Sequence, residues 1–427
     1  MGNASPFSTT TFGQGGAHHL RGDYIATLDI GSSNVRVIVA EIENGKPHVA
    51  GIGSAVSRGM RKGAIIDIDH TVESIREAVD KAEQMVGIDI SDVYVGISGD
   101  HISLQPSHGV VAVSGESREI GREDIERVLE ASRMTALPPE RTIIEVVPKQ
   151  FIVDGLGGIR DPSRMIGVRL EVDAILVTGT KTIVHNVLRC VERASLTVSG
   201  FVLLPLAAGE YCLSPDEKNL GVVFADIGGG ATSLAIFEHG HLVATAVVPI
   251  GGEYITNDIA YGLRTQKETA EQLKRKYGVA SIQHASSDVT FPVSTIGNRE
   301  KTISQVDLAH IIEPRVEEIF YLIRQQVESL GFSGEPAAGY VLTGGTVSIP
   351  HTLAVAQQSL GPAVRIATPT ESGFKDPSFT GGVGMVHYLL RGPLNRQASG
   401  SEKSSRQKSQ RGPSPLERMK KWLSEFI

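Results

Sequence analysis

The stretch that most constrains this chain is residues 225–237, Ala-Asp-Ile-Gly-Gly-Gly-Ala-Thr-Ser-Leu-Ala-Ile-Phe. The apolar run Val222 to Ala225 leads into it as a buried strand, and Ser233 to Phe237 alternates as a second strand. Gly228, Gly229 and Gly230 therefore stand at a strand-to-strand turn, where a backbone without Cβ can present its N–H groups to an anion. Asp226 adds a carboxylate at the strand end, within reach of a phosphate-bound Mg²⁺. A tight turn with no ligand explains this stretch equally well by itself. A second copy shifts the balance. Asp29-Ile30-Gly31-Ser32-Ser33-Asn34 follows the strand Tyr24 to Leu28 and precedes Val35 to Ala40. Each Asp-Ile-Gly leads to a turn dipeptide, Asn44-Gly45 or His239-Gly240, ending 16 and 14 residues after its Asp. Two halves that each open on an Asp-Gly phosphate hairpin predict a duplicated α/β fold gripping one nucleotide between them.

A chain of 427 residues is too long for one ordinary core, so two or more domains are expected. With 41% hydrophobic and 21% charged residues it has the make-up of a soluble globular protein. No stretch approaches the roughly 20 apolar residues of a membrane span, and residues 1–21 have no apolar signal-peptide core. Cys190 and Cys212 lack metal or redox spacing and read as reduced thiols. The net charge of −7 hides an asymmetry: from Arg391 onward nine Lys/Arg face three Glu, a net +6, which leaves −13 on the rest. An acidic body with a basic tail turns the tail toward something anionic. The body shows no basic face and only 5% aromatic residues, so no nucleic-acid partner is expected.

In chain order, residues 1–21 read as a disordered arm. A strand at 49–55 and a Gly- and cation-rich loop at 57–63 precede an amphipathic helix whose stripe is Val72, Ile75, Ala78, Val79, Ala82, Met85 and Val86. Ile183, Val184, Val187, Leu188 and Val191 mark a comparable helix. Between the two, beyond a strand at 93–97, lie a strand at 110–113, a helix at 122–134 and strands at 143–153 and 167–177, a compact inserted subdomain. Glu271 and Lys274, three apart, share a helix face; as a surface ion pair they contribute less than about 1 kcal/mol. A helix at 306–330 contains Pro314, which is expected to kink or divide it at a cost of about 3 kcal/mol. Tyr340 to Thr346 gives a third strand-to-glycine turn, at Gly344-Gly345, where a nucleoside could lie flat on the backbone.

The composition from 392 to 414 is that of a flexible linker. Leu416, Met419, Trp422, Leu423, Phe426 and Ile427 then fall on one helix face, with Lys420 and Lys421 at its flanks. So short a helix is marginal in water, and a membrane surface that buries its apolar face can fold it.

The three glycine turns, in this order, resemble the two phosphate motifs and the adenosine motif of the actin-like ATPase superfamily. Within it, Ser57-Arg-Gly-Met, Gly96-Ile-Ser-Gly-Asp-His-Ile, Phe151-Ile-Val-Asp-Gly, Gly167-Val-Arg-Leu-Glu-Val and Ile250-Gly-Gly-Glu-Tyr-Ile-Thr-Asn-Asp are similar to the bacterial cell-division family FtsA. The resemblance implies a duplicated actin-like ATPase fold with an inserted α+β subdomain replacing the usual actin small subdomain. Its parts would be 22–98 with 178–206 (subdomain 1A), 99–177 (the insert, 1C), 207–254 with 336–391 (2A) and 255–335 (2B), then a linker at 392–414 and a membrane-targeting helix at 415–427. It implies ATP and Mg²⁺ as ligands. Asp29 and Asp226 would serve the metal; Gly31, Ser32, Ser33, Asn34, Gly228, Gly229 and Gly230 would hold phosphates; Glu271, Lys274, Gly344 and Gly345 would surround adenosine. It further implies filaments on an anionic membrane at the cytoplasmic face of the septum, a 2B surface for the C-terminal tail of the ring protein FtsZ, and recruitment of later division proteins. Asn34 stands where the family often has lysine, Ala231 where Thr or Ser is usual, Thr346 where a third glycine is common, and Leu204 where relatives carry a water-orienting Glu. The expectation is ATP binding with weak or undetectable turnover. The alternatives are a soluble metabolite or sugar kinase and a pilus-assembly adaptor on the same core.

Overall fold

The computed structural model describes residues 24–61, 63–297, 299–371 and 375–391. Strand β1 (Tyr24–Ile30) turns into β2 (Asn34–Glu43), and β2 into β3 (Lys46–Val56). Asn44 and Gly45, at φ 52° and 74°, supply the left-handed pair that suits a two-residue hairpin. A ribbon of β4 (Met60–Arg61) and β5 (Ala64–Ile65) leads to α1 (Ile68–Val86), capped by the Asp67 carboxylate accepting from His70 N–H. The stripe on α1 is buried as its spacing predicts, except Met85, which is 52% exposed. That residue lies at the rim of the stripe, and its sulfur instead takes the Ile52 N–H at 3.4 Å. Strand β6 (Asp92–Ile97) then pairs in parallel with β1.

The stretch after β6 builds a separate sheet. Strands β7 (Ser103–Ala112), β8 (Arg141–Val153), β9 (Leu156–Ile159) and β10 (Arg169–Thr180) lie in the order β7-β10-β8-β9, with α2 (Arg122–Ser132) packed against β7 and β10. Strand β7 begins seven residues before the expected 110. Pro106 and its polar neighbours disguise a strand that the sheet accommodates at its edge, where a missing N–H is tolerated. Strand β9 is short and nearly all exposed, and its two apolar residues, Leu156 and Ile159, flank two glycines, a pattern too brief to mark a strand. Glu145 of β8 ties this sheet to the body, accepting from Tyr388 O–H at 2.6 Å and Leu203 N–H at 3.2 Å. Helix α3 (Lys181–Arg193), strand β11 (Thr197–Leu203) and helices α4 (Leu204–Cys212) and α5 (Pro215–Leu220) complete the first half.

The second half repeats the plan with β12 (Val222–Ile227), β13 (Thr232–Glu238) and β14 (His241–Val248). After α6 (Gly252–Leu263) and α7 (Lys267–Tyr277) come the hairpin β15 (Thr290–Thr295) and β16 (Arg299–Ser304), and then α8 (Gln305–Ser329). Helix α8 is not divided at Pro314, which rules out one of the two expected outcomes, a break. The proline is solvent-exposed, and the stripe Leu308, Ala309, Ile312, Val316, Ile319, Phe320 and Ile323 buries the opposite face on both sides of it. Burial of that stripe outweighs the lost hydrogen bond. Strand β17 (Tyr340–Thr343), α9 (Thr352–Leu360), β18 (Val364–Ile366) and α10 (Thr380–Arg391) follow.

The two five-stranded sheets have the same order, β3-β2-β1-β6-β11 and β14-β13-β12-β17-β18. Each closing helix crosses to the other half. Leu206, Ala208 and Leu213, on and just after α4, pack with Val222, Phe224 and Phe237 of the second sheet, and Val383 and Val386 of α10 with Ile25, Ile38 and Ala40 of the first. Helix α4 therefore spans the expected 206/207 boundary. Among the described residues no helix is long and apolar enough to cross a membrane, and Cys190 and Cys212 are free thiols.

Candidate nucleotide site

The site forms where equivalent strands of the two sheets end. Asp29 ends β1 opposite Arg36 and beside Gly96, and Asp226 ends β12 opposite Ser233 and beside Thr343. Both turns close alike: Gly31 N–H donates to Asn34 O and Gly228 N–H to Ala231 O, each at 3.1 Å. The two turns also touch. The Ser33 side chain presses on Gly229, where a Cβ would overlap it, and the Ser33 hydroxyl donates to Glu253 at 2.7 Å. The Ser32 hydroxyl accepts from Gly63 N–H at 2.9 Å, which backs the first turn with the 57–63 loop.

Burial pushes Asp226 up to about 7, the nearby charge of Asp29 adds to the rise, and Arg36 opposes it. Asp29 is raised as well, by burial, again against Arg36. Two carboxylates desolvated side by side are a standing demand for a cation. Among the described residues no group of three or more His, Cys, Asp or Glu could hold a metal alone. Two carboxylates suit an ion whose other ligands would be water and phosphate oxygens, as Mg²⁺ prefers. The folded state holds the Asp226 proton more tightly than the unfolded chain, whose carboxyl titrates near 3.8. Its contribution is fully present below that value and lost as pH rises through about 7. In EDTA, melting temperature should therefore fall between pH 5 and pH 8 more steeply for the wild type than for Asp226→Asn. Equal slopes in thermal melts would exclude the effect.

The third turn closes the site from the second half. Gly344 at φ 93° ends β17 against Asp226, and Gly345 opens a 3-10 turn to Ser348. The Thr346 hydroxyl donates to Gly228 O at 2.8 Å, which joins this turn to the second phosphate turn. Lys274 reaches the same spot, donating to Gly252 O at 3.0 Å and Thr256 Oγ1 at 2.7 Å and pairing with Glu271 at 2.6 Å. With its side chain only 11% exposed, Lys274 is no ordinary surface ion pair. Burial would raise Glu271, but Lys274, Thr256 and Arg275 outweigh it and hold the carboxyl at about 2. Burial lowers Lys274, against the pull of Glu271. Leu204 instead packs inward with Ala207 and Met385.

The structure thus brings together the residues read from the sequence at 29–34, 226–230, 271–274 and 344–345. The membrane-face residues Leu416 to Ile427 lie outside the described residues. Two side chains in the site are not among the residues read from the sequence. Arg36 is findable, because a hairpin that pairs Ile30 with Val35 must set residue 36 opposite Asp29. Its guanidinium also lies 5.4 Å over the Phe379 ring. Glu253 follows Gly251-Gly252 directly after β14, and only the fold places it at the first turn.

Two sheets of one topology, with an inserted sheet and exchanged helices, define an actin-like ATPase fold. Solved structures agree. The chain resembles a PilM-PilN type IV pilus biogenesis complex at TM-score 0.58 and 17% identity, over 86% of this chain and 99% of that one. It resembles MreB5 of Spiroplasma citri bound to ADP at TM-score 0.51 and 13% identity, over 88% and 99%. The family model for cell division protein FtsA matches residues 223–384, and that for the SHS2 domain inserted in FtsA matches 99–178. The cell division protein FtsA of Bacillus subtilis (strain 168) is 49% identical over 366 residues, covering 86% of this chain and 83% of the relative. The chain belongs to the FtsA family of cell-division proteins, which leaves the kinase and pilus-adaptor alternatives without support.

Proposed function

We propose that this actin-like cell-division protein binds Mg-ATP in the cleft between its halves and tethers the FtsZ ring to the cytoplasmic face of the membrane. The observation that carries the nucleotide reading is the Asp29–Asp226 pair, set between two matching glycine turns. Asp29 and Asp226 would hold Mg²⁺, which supplies charge neutralisation for the phosphates. Residues 31–34 and 228–230 would offer N–H and hydroxyl donors to phosphate oxygens, with Arg36 as the cation in place of a lysine at Asn34. Lys274, Glu271, Gly344 and Gly345 would flank the nucleoside. Leu204 brings no acid toward the cleft, which supports weak turnover. Membrane attachment rests on the sequence of residues 416–427, whose apolar face carries the chain's one tryptophan between basic flanks. Filament formation on lipid, an FtsZ-tail surface on 255–335 and recruitment of later division proteins are part of the same reading, supported by family membership.

Co-sedimentation with anionic vesicles in Mg-ATP tests it. The full chain should pellet with lipid and carry FtsZ down with it, and a chain ending at Ser414 should stay in the supernatant. If both chains ignore vesicles, the tether reading fails.

A further inference from the structure

Ser33 and Glu253 come from opposite halves of the molecule and meet over Gly229. The Ser33 hydroxyl donates to Glu253 Oε1 at 2.7 Å. Glu253 is fixed from behind, since its N–H donates to Gly229 O at 2.9 Å while it sits in the first turn of α6. Its other carboxylate oxygen lies 3.6 Å from Lys267 Nζ, at the start of α7. A serine hydroxyl has one proton to donate. Spent on a carboxylate, it cannot serve a phosphate oxygen, and a carboxylate beside a phosphate chain is a like-charge contact. The hydroxyl therefore has two mutually exclusive uses.

We propose that the Ser33–Glu253 hydrogen bond is a clasp between the halves that a polyphosphate releases. This deepens the nucleotide reading and rests on it. A phosphate oxygen at the first turn takes the Ser33 proton, and the Glu253 carboxylate moves off toward Lys267. The presence of phosphate is thereby felt at α6 and α7, the helices that carry Thr256, Glu271 and Lys274. The clasp responds to the phosphate chain and not to the nucleoside, so adenosine leaves it closed. Glu253 is then a residue that sets the preference for phosphorylated over unphosphorylated ligand.

Calorimetric titration of the full chain with Mg-ATP and with adenosine, for wild type and Glu253→Gln, tests this. Glutamine keeps the length and an acceptor oxygen but removes the charge. The variant should bind Mg-ATP about fivefold to tenfold more tightly, the factor expected when one like charge is removed at partly solvated range, with adenosine affinity unchanged. An unchanged or weaker affinity for Mg-ATP, or an equal gain for adenosine, overturns the clasp. A second readout needs no nucleotide: thermal melts of Ser33→Ala, Glu253→Ala and the double variant. The double variant should be no less stable than the weaker single one, and additive losses would mean that the two side chains are not coupled. If wild type binds Mg-ATP and Glu253→Gln gains nothing, the clasp alone falls. If neither binds Mg-ATP, the nucleotide reading falls and takes the releasing ligand with it.

Discussion

Asp226→Ala should weaken Mg-ATP binding by about 10- to 100-fold, the scale seen when a residue that supports a bound metal is altered, while making the protein without metal harder to melt at pH 8. The two effects have one cause. At pH 8 Asp226 is ionised against its preference, buried and next to Asp29, so the folded state bears a like-charge contact that the unfolded chain does not. In the proposed reading Mg²⁺ would relieve it on binding, so that the strain would become affinity. Removing the carboxylate should remove the strain and weaken the binding together. In EDTA the melting temperature should rise by about 2 to 4 °C. Titration calorimetry and a fluorimetric melt on the same preparation check the pair of results. Unchanged affinity would remove Asp226 from the site, and a lower melting temperature would show that its role is packing.

Gly344→Val should cost about 4 kcal/mol of stability, adding the strain of a β-branched residue in the left-handed region to overpacking of a closed site. Gly344 has φ 93°, and a Cβ there would overlap Asp226 Oδ1 and stand 2.6 Å from Ile227 O and 2.8 Å from Ile227 C. The neighbours are backbone and a buried carboxylate, so little can yield. Gly345→Ala is the control. Its nearest neighbour would be Ser378 Cβ at 3.6 Å, ordinary contact distance, and its loss should stay within about 1 kcal/mol. Urea midpoints of the two variants against wild type measure the contrast. Similar losses would mean that position 344 is not special.

Much of this architecture is legible in the amino-acid sequence, because glycine turns and apolar periodicity are local properties. Asp29-Ile-Gly and Asp226-Ile-Gly announce two equivalent hairpins, and the stripe on α1 announces a buried face. What stays hidden depends on distant partners. The apolar runs of α4 and α10 carry no sign of which sheet they cover, so a boundary drawn at 206/207 cuts through α4. Pro314 reads as a break because its cost is local, while the stripe that overrides it is spread along α8. Glu253 carries no signal of its own; its carboxylate belongs to the site only because Ser33, 220 residues away, reaches it.

Because α4 lies on the second sheet and α10 on the first, the halves exchange equivalent helices, like subunits of a dimer that have traded an arm. Asp29 and Asp226 stand at equivalent strand ends of the two sheets. Duplicated strands alone would offer a ligand the same groups from either side, and a nucleotide has two unlike ends. The difference comes from what each half adds to the shared plan: the sheet of β7 to β10 in one, and α6 to α8 with Glu271 and Lys274 in the other. Which way round a nucleotide would lie is thus left to the unshared segments, and the repeated ones would only say where.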